Sequence, residues 1–270
     1  FIKNAIYKGA SVIVCSNKCK FKDKNIPIIK TNKIRHILSA IASRFYKLKP
    51  KNIIAVTGTN GKSSVSDIFY QILKLNNIRT ASIGTLGIKY NDKTIKTNLT
   101  SPDTITLHKT LNDLKNKNIN NVILEASSHG LDQKRLHHIN FKGAILTNFS
   151  QDHLDYHKTM KSYLNSKLVL FRKILGKKST IISDKKIHIF NLLKNISKKK
   201  NLRLVDINKN LDKIEKFSLE SFKDFKIKNL AMAIEAAKLC GVKDKLIYES
   251  IKKIKGVNGR LELIKNYPND

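Results

Sequence analysis

Three polar clusters in this 270-residue chain hold residue types at spacings suited to chemistry. The first, Gly58-Thr-Asn-Gly61-Lys62-Ser63-Ser64, stands directly after the apolar run Ile53-Ile-Ala-Val56 and directly before a segment of helical periodicity. Glycines in that setting let backbone N–H groups approach a polyphosphate, and the amino end of a helix adds positive potential. Lys62 would then reach the terminal phosphates of a nucleotide, and Ser63 would present its hydroxyl to Mg²⁺. The general eight-residue form of such a loop has glycine where Val56 stands, so the flanking strand and helix carry the assignment. The second cluster, Glu125-Ala-Ser127-Ser128-His129-Gly130, follows the apolar run Val122-Ile-Leu124, at a strand end where open α/β sheets place ligands. A carboxylate there suits a metal ion beside phosphates. Further on, Gln133 and Arg135 suit an anionic substrate, because the guanidinium fork pairs with phosphate or carboxylate. The third cluster runs from Thr147-Asn148 through Asp152-His153 to Asp155-Tyr156-His157, again after an apolar run, Ala144-Ile-Leu146. Each of its histidines taken singly fits a capped turn better than a site; the density of polar groups at a strand end is what suggests a site.

These clusters need a scaffold, and the apolar patterning supplies one. Strands are expected at residues 53–56, 80–83, 122–125, 144–147 and 180–182, with helices near 62–75, 105–117, 160–174, 186–197, 229–239 and 246–254. Alternating β and α segments predict an α/β fold: a central, mainly parallel sheet flanked by helices, with a phosphate-binding loop. Residues 1–32 offer only a helix tail and two short strands, too little for a domain. A helix from about Asn32, stopped by Pro50, opens the main unit.

Composition bounds the remaining classes. With 41% hydrophobic residues the chain is not disordered in character, and no stretch approaches the roughly 18 continuous apolar residues of a membrane helix. Three cysteines are too few for a disulfide framework and read as reduced thiols. Lys plus Arg number 53 against 20 Asp plus Glu, a net charge of +33 that admits nucleic-acid binding as a rival function. The lysines, however, run along the whole chain interleaved with asparagine and isoleucine, which points to diffuse charge.

Together, Val56-Thr-Gly-Thr-Asn-Gly-Lys-Ser63, Glu125-Ala-Ser-Ser-His-Gly-Leu131 and Asp152-His-Leu-Asp-Tyr-His157 resemble the Mur ligase family, with the likeness running nearly end to end. The resemblance implies an ATP-dependent amide ligase of peptidoglycan precursor synthesis. In that family the D-glutamyl carboxylate of UDP-N-acetylmuramoyl-L-Ala-D-Glu is phosphorylated, and a diamino acid, meso-diaminopimelate or L-lysine, attacks the acyl phosphate. Folylpolyglutamate synthetase is the nearest alternative in the superfamily. Carried over residue by residue, Gly58, Thr59, Asn60, Gly61, Lys62, Ser63 and Ser64 would hold ATP, with Asn229 near adenine and Arg260 facing the nucleotide. Ser63, Glu125, His153 and Lys167 would serve two Mg²⁺ sites, Lys167 as a carbamate, and Lys62 and Lys167 would be the catalytic residues. Thr100, Ser101, Ser127, Gln133 and Arg135 would contact the muramoyl substrate, with Ser101 standing where the family has a second threonine. Gln151 stands where the family often has arginine. By residue type and spacing alone Lys167 reads as a solvated helix lysine. The resemblance also implies residues 1–32 as the end of a UDP-binding domain, 33–256 as the ATP-binding domain and 257–270 as the start of a third. It further implies a cytoplasmic monomer that takes small-molecule substrates, with no specific nucleic acid and no membrane as partner.

Overall fold

The structure, a computed structural model, describes residues 1–217 and 225–256. Helix α1 (Ile2–Tyr7) leads into β1 (Ile13–Ser16) and β2 (Ile28–Thr31), which pair in parallel as a small separate sheet. Helix α2 (Ile34–Phe45) then opens the main unit as the spacing predicts. The chain continues through β3 (Asn52–Thr57), α3 (Lys62–Leu75), β4 (Thr80–Gly84), β5 (Gly87–Tyr90), β6 (Lys93–Ile95), α4 (Thr104–Asn116), β7 (Asn121–Glu125), α5 (Ser128–Asp132) and β8 (Gly143–Leu146). It ends in α6 (Leu154–His157), α7 (Met160–Val169), β9 (Thr180–Ser183), α8 (Phe190–Lys200), β10 (Arg203–Asp206), α9 (Leu211–Phe217), α10 (Phe225–Leu239) and α11 (Asp244–Ile251). Eight strands form one sheet in the order β10-β9-β8-β3-β7-β4-β5-β6.

The expected parallel α/β sheet is what forms. β3 lies between β7 and β8, and β4, β9 and β10 extend the parallel pairing on either side. A strand buried on both faces must be apolar throughout. In β3, Ile53 and Ala55 accordingly enter one core and Ile54 and Val56 the other. Leu107 and Leu111 of α4, with Leu168 ahead of Leu170 and Phe171, cover the first face. Val65, Phe69 and Ile72 of α3, with Leu230 and Ile234 of α10, cover the second.

Several details depart from the sequence reading. The parallel edge strand β10, Arg203–Asp206, is not among the expected strands. β5 and β6 form an antiparallel hairpin at the sheet edge, turned by Asn91 and Asp92 at φ 45 and 61. Adjacent residues tolerant of positive φ give the tight turn that matches strand twist. The helix expected over 160–174 widens after Val169 into a π turn over Leu170–Ile174, closed by Leu175 N–H donating to the Leu170 carbonyl at 2.9 Å. The helix expected from Lys186 starts only at Phe190, because the carboxylate of Asp184 accepts from Lys186 N–H and holds a turn there.

Helix α2 packs on α4 and is tied to the segment after α5 by the Ser39 hydroxyl, which donates to the His137 carbonyl at 2.7 Å. His108 of α4 is buried at 0% exposure nearby, and neither ring nitrogen makes a hydrogen bond of normal geometry. Burial, reinforced by Lys49 and only partly offset by the His137 backbone, pulls its pKa down to about 4. The unfolded chain therefore binds more protons than the folded one from about pH 6.5 down to about 4. This contribution to stability is complete above that window and is lost as pH falls through it, on the order of 2–3 kcal/mol. His108→Leu should flatten the pH dependence of the urea midpoint across this range; an unchanged slope would contradict it.

Candidate functional site

The β3–α3 loop is shaped by what it packs against. Gly61 sits at φ 84 as the residue before α3, and no side chain caps that helix. The first-turn N–H groups of a 14-residue helix are thus left to a ligand or solvent. Thr59 N–H donates to the Asn148 carbonyl at 3.2 Å, and Asn60 N–H donates to Asn148 Oδ1 at 2.9 Å. The Thr147 hydroxyl donates to the Asn60 carbonyl at 2.5 Å, and the Thr59 hydroxyl donates to the Ser150 carbonyl at 3.1 Å. The segment after β8 therefore splints the loop from one side.

A cavity of about 270 Å³ opens over this loop. Thr59, Asn60, Gly61, Lys62, Ser63 and Ser64 line it, joined by Thr100, Ser127, His153 and Lys167 from four other segments. Lys62 Nζ donates to the carbonyls of Gly58 and Thr59 at 2.9 and 2.8 Å. Lys167, only 1% exposed, donates to the same Gly58 carbonyl at 2.8 Å, with its Nζ 4.4 Å from the Tyr163 ring centroid. The reading of a solvated helix lysine is thus overturned: α7 turns this side chain inward. Burial, reinforced by the Lys62 charge and opposed by Asp152, lowers the Lys167 pKa to about 7.

Glu125 ends β7 beside the loop and is 1% exposed. Its carboxylate accepts from the Ser63 hydroxyl at 3.1 Å, the Thr85 hydroxyl at 3.1 Å and Thr85 N–H at 3.0 Å. Burial pushes its pKa up, against the pull of these donors and of Lys62. His153 stands at φ 52 ahead of α6, its Nε2 3.5 Å from Asp152 Oδ2 and its ring 5.2 Å from that of His129. Among the described residues no three His, Cys, Asp or Glu side chains are gathered as a metal cluster. The expected metal set relies instead on one hydroxyl and one lysine, together with Glu125 and His153. The Ser63–Glu125 pair, a hydroxyl against a buried carboxylate at the loop, is the part of this set that already has the oxygen chemistry Mg²⁺ takes.

The remaining expected residues fall into two groups. Thr100 reaches the cavity and shares a 3.1 Å hydroxyl contact with Thr85. Ser127 reaches it while capping α5. Ser101 does not: at 0% exposure its hydroxyl donates to the Glu125 carbonyl at 2.8 Å and accepts from Ser127 N–H at 2.9 Å. Gln133 and Arg135 also lie outside the cavity lining, bonded to each other at 2.6 Å, with Arg135 donating to the Ser101 carbonyl at 2.7 Å. Asn229 is packed on the loop so closely that a Cβ on Gly61 would lie 2.7 Å from its Oδ1. Arg260 lies outside the described residues. Asn148, included in the third polar cluster without a role, proves to splint the loop. Sequence reasoning missed Thr85 and Tyr163 as parts of the site, and neither carried a signal.

A Gly-Lys-Ser loop on the central strand of a parallel sheet, with a buried carboxylate on the adjacent strand end, defines an α/β domain of the phosphate-loop kind. The sequence profile of the Mur ligase middle domain matches residues 56–243, and the chain belongs to that family. It is 35% identical to the UDP-N-acetylmuramoyl-L-alanyl-D-glutamate–2,6-diaminopimelate ligase of Rickettsia montanensis, over 98% of this chain and 60% of the relative. A solved structure of a ligase of that name superposes with a TM-score of 0.80 at 22% identity, over 98% of this chain and 59% of the other. The folylpolyglutamate synthetase in complex with AMPPCP superposes at 0.67 and 13% identity, over 87% and 71%. These two superpositions show the fold. The chain spans about three fifths of the length of the curated relatives it matches.

The Glu125 carboxylate fills the space beside Gly84, where an added Cβ would lie 2.1 Å from Oε1. Gly84→Ala should cost about 1–3 kcal/mol by overpacking, read from urea midpoints. On a Glu125→Ala background most of that cost should vanish. Equal costs on both backgrounds would mean that the carboxylate does not occupy this position.

Proposed function

We propose that the protein is an ATP-dependent carbon–nitrogen ligase of peptidoglycan precursor synthesis, joining a diamino acid to UDP-N-acetylmuramoyl-L-Ala-D-Glu. The supporting observation is that Lys62, Ser63 and the buried Lys167 line one cleft over an uncapped helix start, with Glu125 bonded to Ser63 just behind its wall. The names of the relatives favour 2,6-diaminopimelate as the incoming amine.

In the reaction, an oxygen of the D-glutamyl carboxylate attacks the γ-phosphorus of ATP and the bond to ADP breaks. The amine then attacks the acyl carbon of the acyl phosphate, inorganic phosphate leaves, and the nitrogen gives up a proton. First-turn amides of α3 and the Lys62 ammonium would offset charge on the transferring phosphoryl oxygens. Ser63 and Glu125 would hold one Mg²⁺, and His153 with carbamylated Lys167 a second. When bound, the ions neutralise phosphoryl charge. Lys167 suits carbamate formation because a pKa of about 7 leaves a substantial neutral amine, whose nitrogen attacks CO₂ and loses a proton. Thr100 and Ser127 would touch the muramoyl substrate, with Gln133 and Arg135 beside them and Ser101 holding Ser127 in place. Asn229 would lie toward adenine, and Arg260 would face ATP. Residues 1–32 and 257–270 would belong to neighbouring domains. From the likeness to the ligases we take the protein to be a cytoplasmic monomer. Among the described residues no helix is long and apolar enough to cross a membrane.

Phosphate release from ATP should depend on both the muramoyl dipeptide and diaminopimelate, and Lys62→Ala should lower it about a hundredfold or more. Release supported instead by a folate and glutamate would favour the superfamily alternative, and an unaffected Lys62→Ala variant would defeat the reading. Lys167→Ala should lose activity by a similar factor and regain part of it with millimolar short-chain carboxylic acids. Full activity without them would remove Lys167 from the mechanism.

A further inference from the structure

The edge of the large sheet opposite the cleft carries a surface that the ligase reading leaves unused. All six parallel strands are entered there past exposed cations: Lys51 before β3, Arg79 before β4, Lys117 before β7, Lys142 before β8, Lys178 before β9, and Arg203 opening β10. The segments that make this edge, 46–51, 76–79, 115–120, 140–142, 176–179 and 198–203, contain no aspartate or glutamate. The cleft edge is mixed: Glu125, Asp132, Asp152, Asp155, Asp184 and Asp206 stand there among Lys62, Lys134, Arg135, Lys158, Lys185, Lys186 and Lys209. The lysines therefore gather once the chain folds, although along the sequence they look evenly spread.

Among the described residues these cations pair with no carboxylate: the ion pairs join Lys74, Lys89, Lys228 and Lys238 to carboxylates, and none involves the segments of this edge. Where edge lysines do bond, their partners are neutral, as with Lys142 on Asn52 Oδ1 at 2.9 Å and Lys200 on the Leu175 carbonyl at 2.6 Å. Attraction to helix carboxyl ends accounts for lysines in the last turns of α4 and α8. It does not account for Lys51, Lys142 or Arg203, which stand at strand starts. Asp113 and Asp206 are the nearest carboxylates in sequence, and Asp206 ends β10, accepting from Lys185 N–H and Asn208 N–H.

A second observation concerns apolar groups beside the same edge. Phe45 and Leu48, 76% and 47% exposed, flank it on the α2–α4 face, and Leu75, 41% exposed, flanks it at the end of α3 on the other face. Lysines across a broad edge, with large apolar side chains at its flanks, are the pattern of an interfacial surface for anionic lipid. Recognition of nucleic acid would instead favour arginine forks or aromatics interleaved with the cations, and these segments have neither as a set. We propose that this edge docks the protein on an anionic phospholipid bilayer, with the cleft facing away from the membrane. This departs from the expectation of no membrane partner and does not depend on the ligase reading.

The test is flotation of the purified protein with phosphatidylcholine vesicles, with and without about a third phosphatidylglycerol, at low and near-physiological salt. Binding should require phosphatidylglycerol and weaken with salt. At about fivefold in partition per edge lysine, Lys177→Glu/Lys178→Glu/Lys199→Glu should lower binding a hundredfold or more. Lys93→Glu/Lys96→Glu/Lys161→Glu, which changes net charge equally elsewhere, should lower it less than about fivefold. The corresponding edge glutamine variant should fall between wild type and the glutamate variant, and Phe45→Ser/Leu48→Ser should lose mainly the binding that survives at higher salt. Absence of wild-type binding, equal losses from the edge and control variants, or tighter edge-dependent binding to duplex DNA than to vesicles at equal phosphate would each overturn the proposal.

Discussion

One close backbone approach underlies the cleft. Gly58 sits at φ 147 against the strand end after β8, so near that a Cβ would lie 1.9 Å from Thr147 Oγ1. No other residue type fits there without moving either the loop or that strand end. The approach lets Asn148 take the N–H groups of Thr59 and Asn60, which leaves the first-turn amides of α3 facing the cavity. It also aims the Gly58 carbonyl so that Lys62 and Lys167 both donate to it. Burial, reinforced by the Lys62 ammonium converging on the same oxygen, lowers the Lys167 pKa to about 7. A steric constraint on the backbone thus helps set the charge state of a side chain more than a hundred residues away in sequence.

Glu125 shows the same logic with the opposite sign. Its burial raises the cost of ionisation, and the three donors from Ser63 and Thr85 hold the carboxylate in place at the end of β7. Gly84 leaves room for it. The parallel sheet supplies the positions: β3 between β7 and β8 brings the loop, the carboxylate and the His153 segment to one edge. Carboxylates stand among the cations at that edge, whereas the strand-entry segments at the other edge carry cations alone.

Much of this architecture was legible in the sequence. Apolar runs of strand length, each followed by a polar cluster or a helical period, gave five of the six parallel strands, β10 excepted, and placed the loop, Glu125 and His153 at strand ends. The β5–β6 hairpin escaped because its strands are short and polar, although Asn91-Asp92 carried the turn signal. The inward aim of Lys167 depends on how α7 docks, and no periodicity in a lysine-rich segment reports that. Ser101 was expected at a substrate surface but lies wholly beneath it, since a serine that bonds to backbone reads in sequence like a serine that bonds to a ligand. The grouping of cations on one edge was invisible for a similar reason: it arises from strand starts that are far apart along the chain.

The central claim is that the amides opening α3 hold a nucleotide polyphosphate. An amide NMR titration with ADP and Mg²⁺ addresses it most directly. Saturable shifts centred on Gly61, Lys62, Ser63 and Ser64, together with a response at Lys167, are the predicted result; saturation with those four amides unmoved would contradict it.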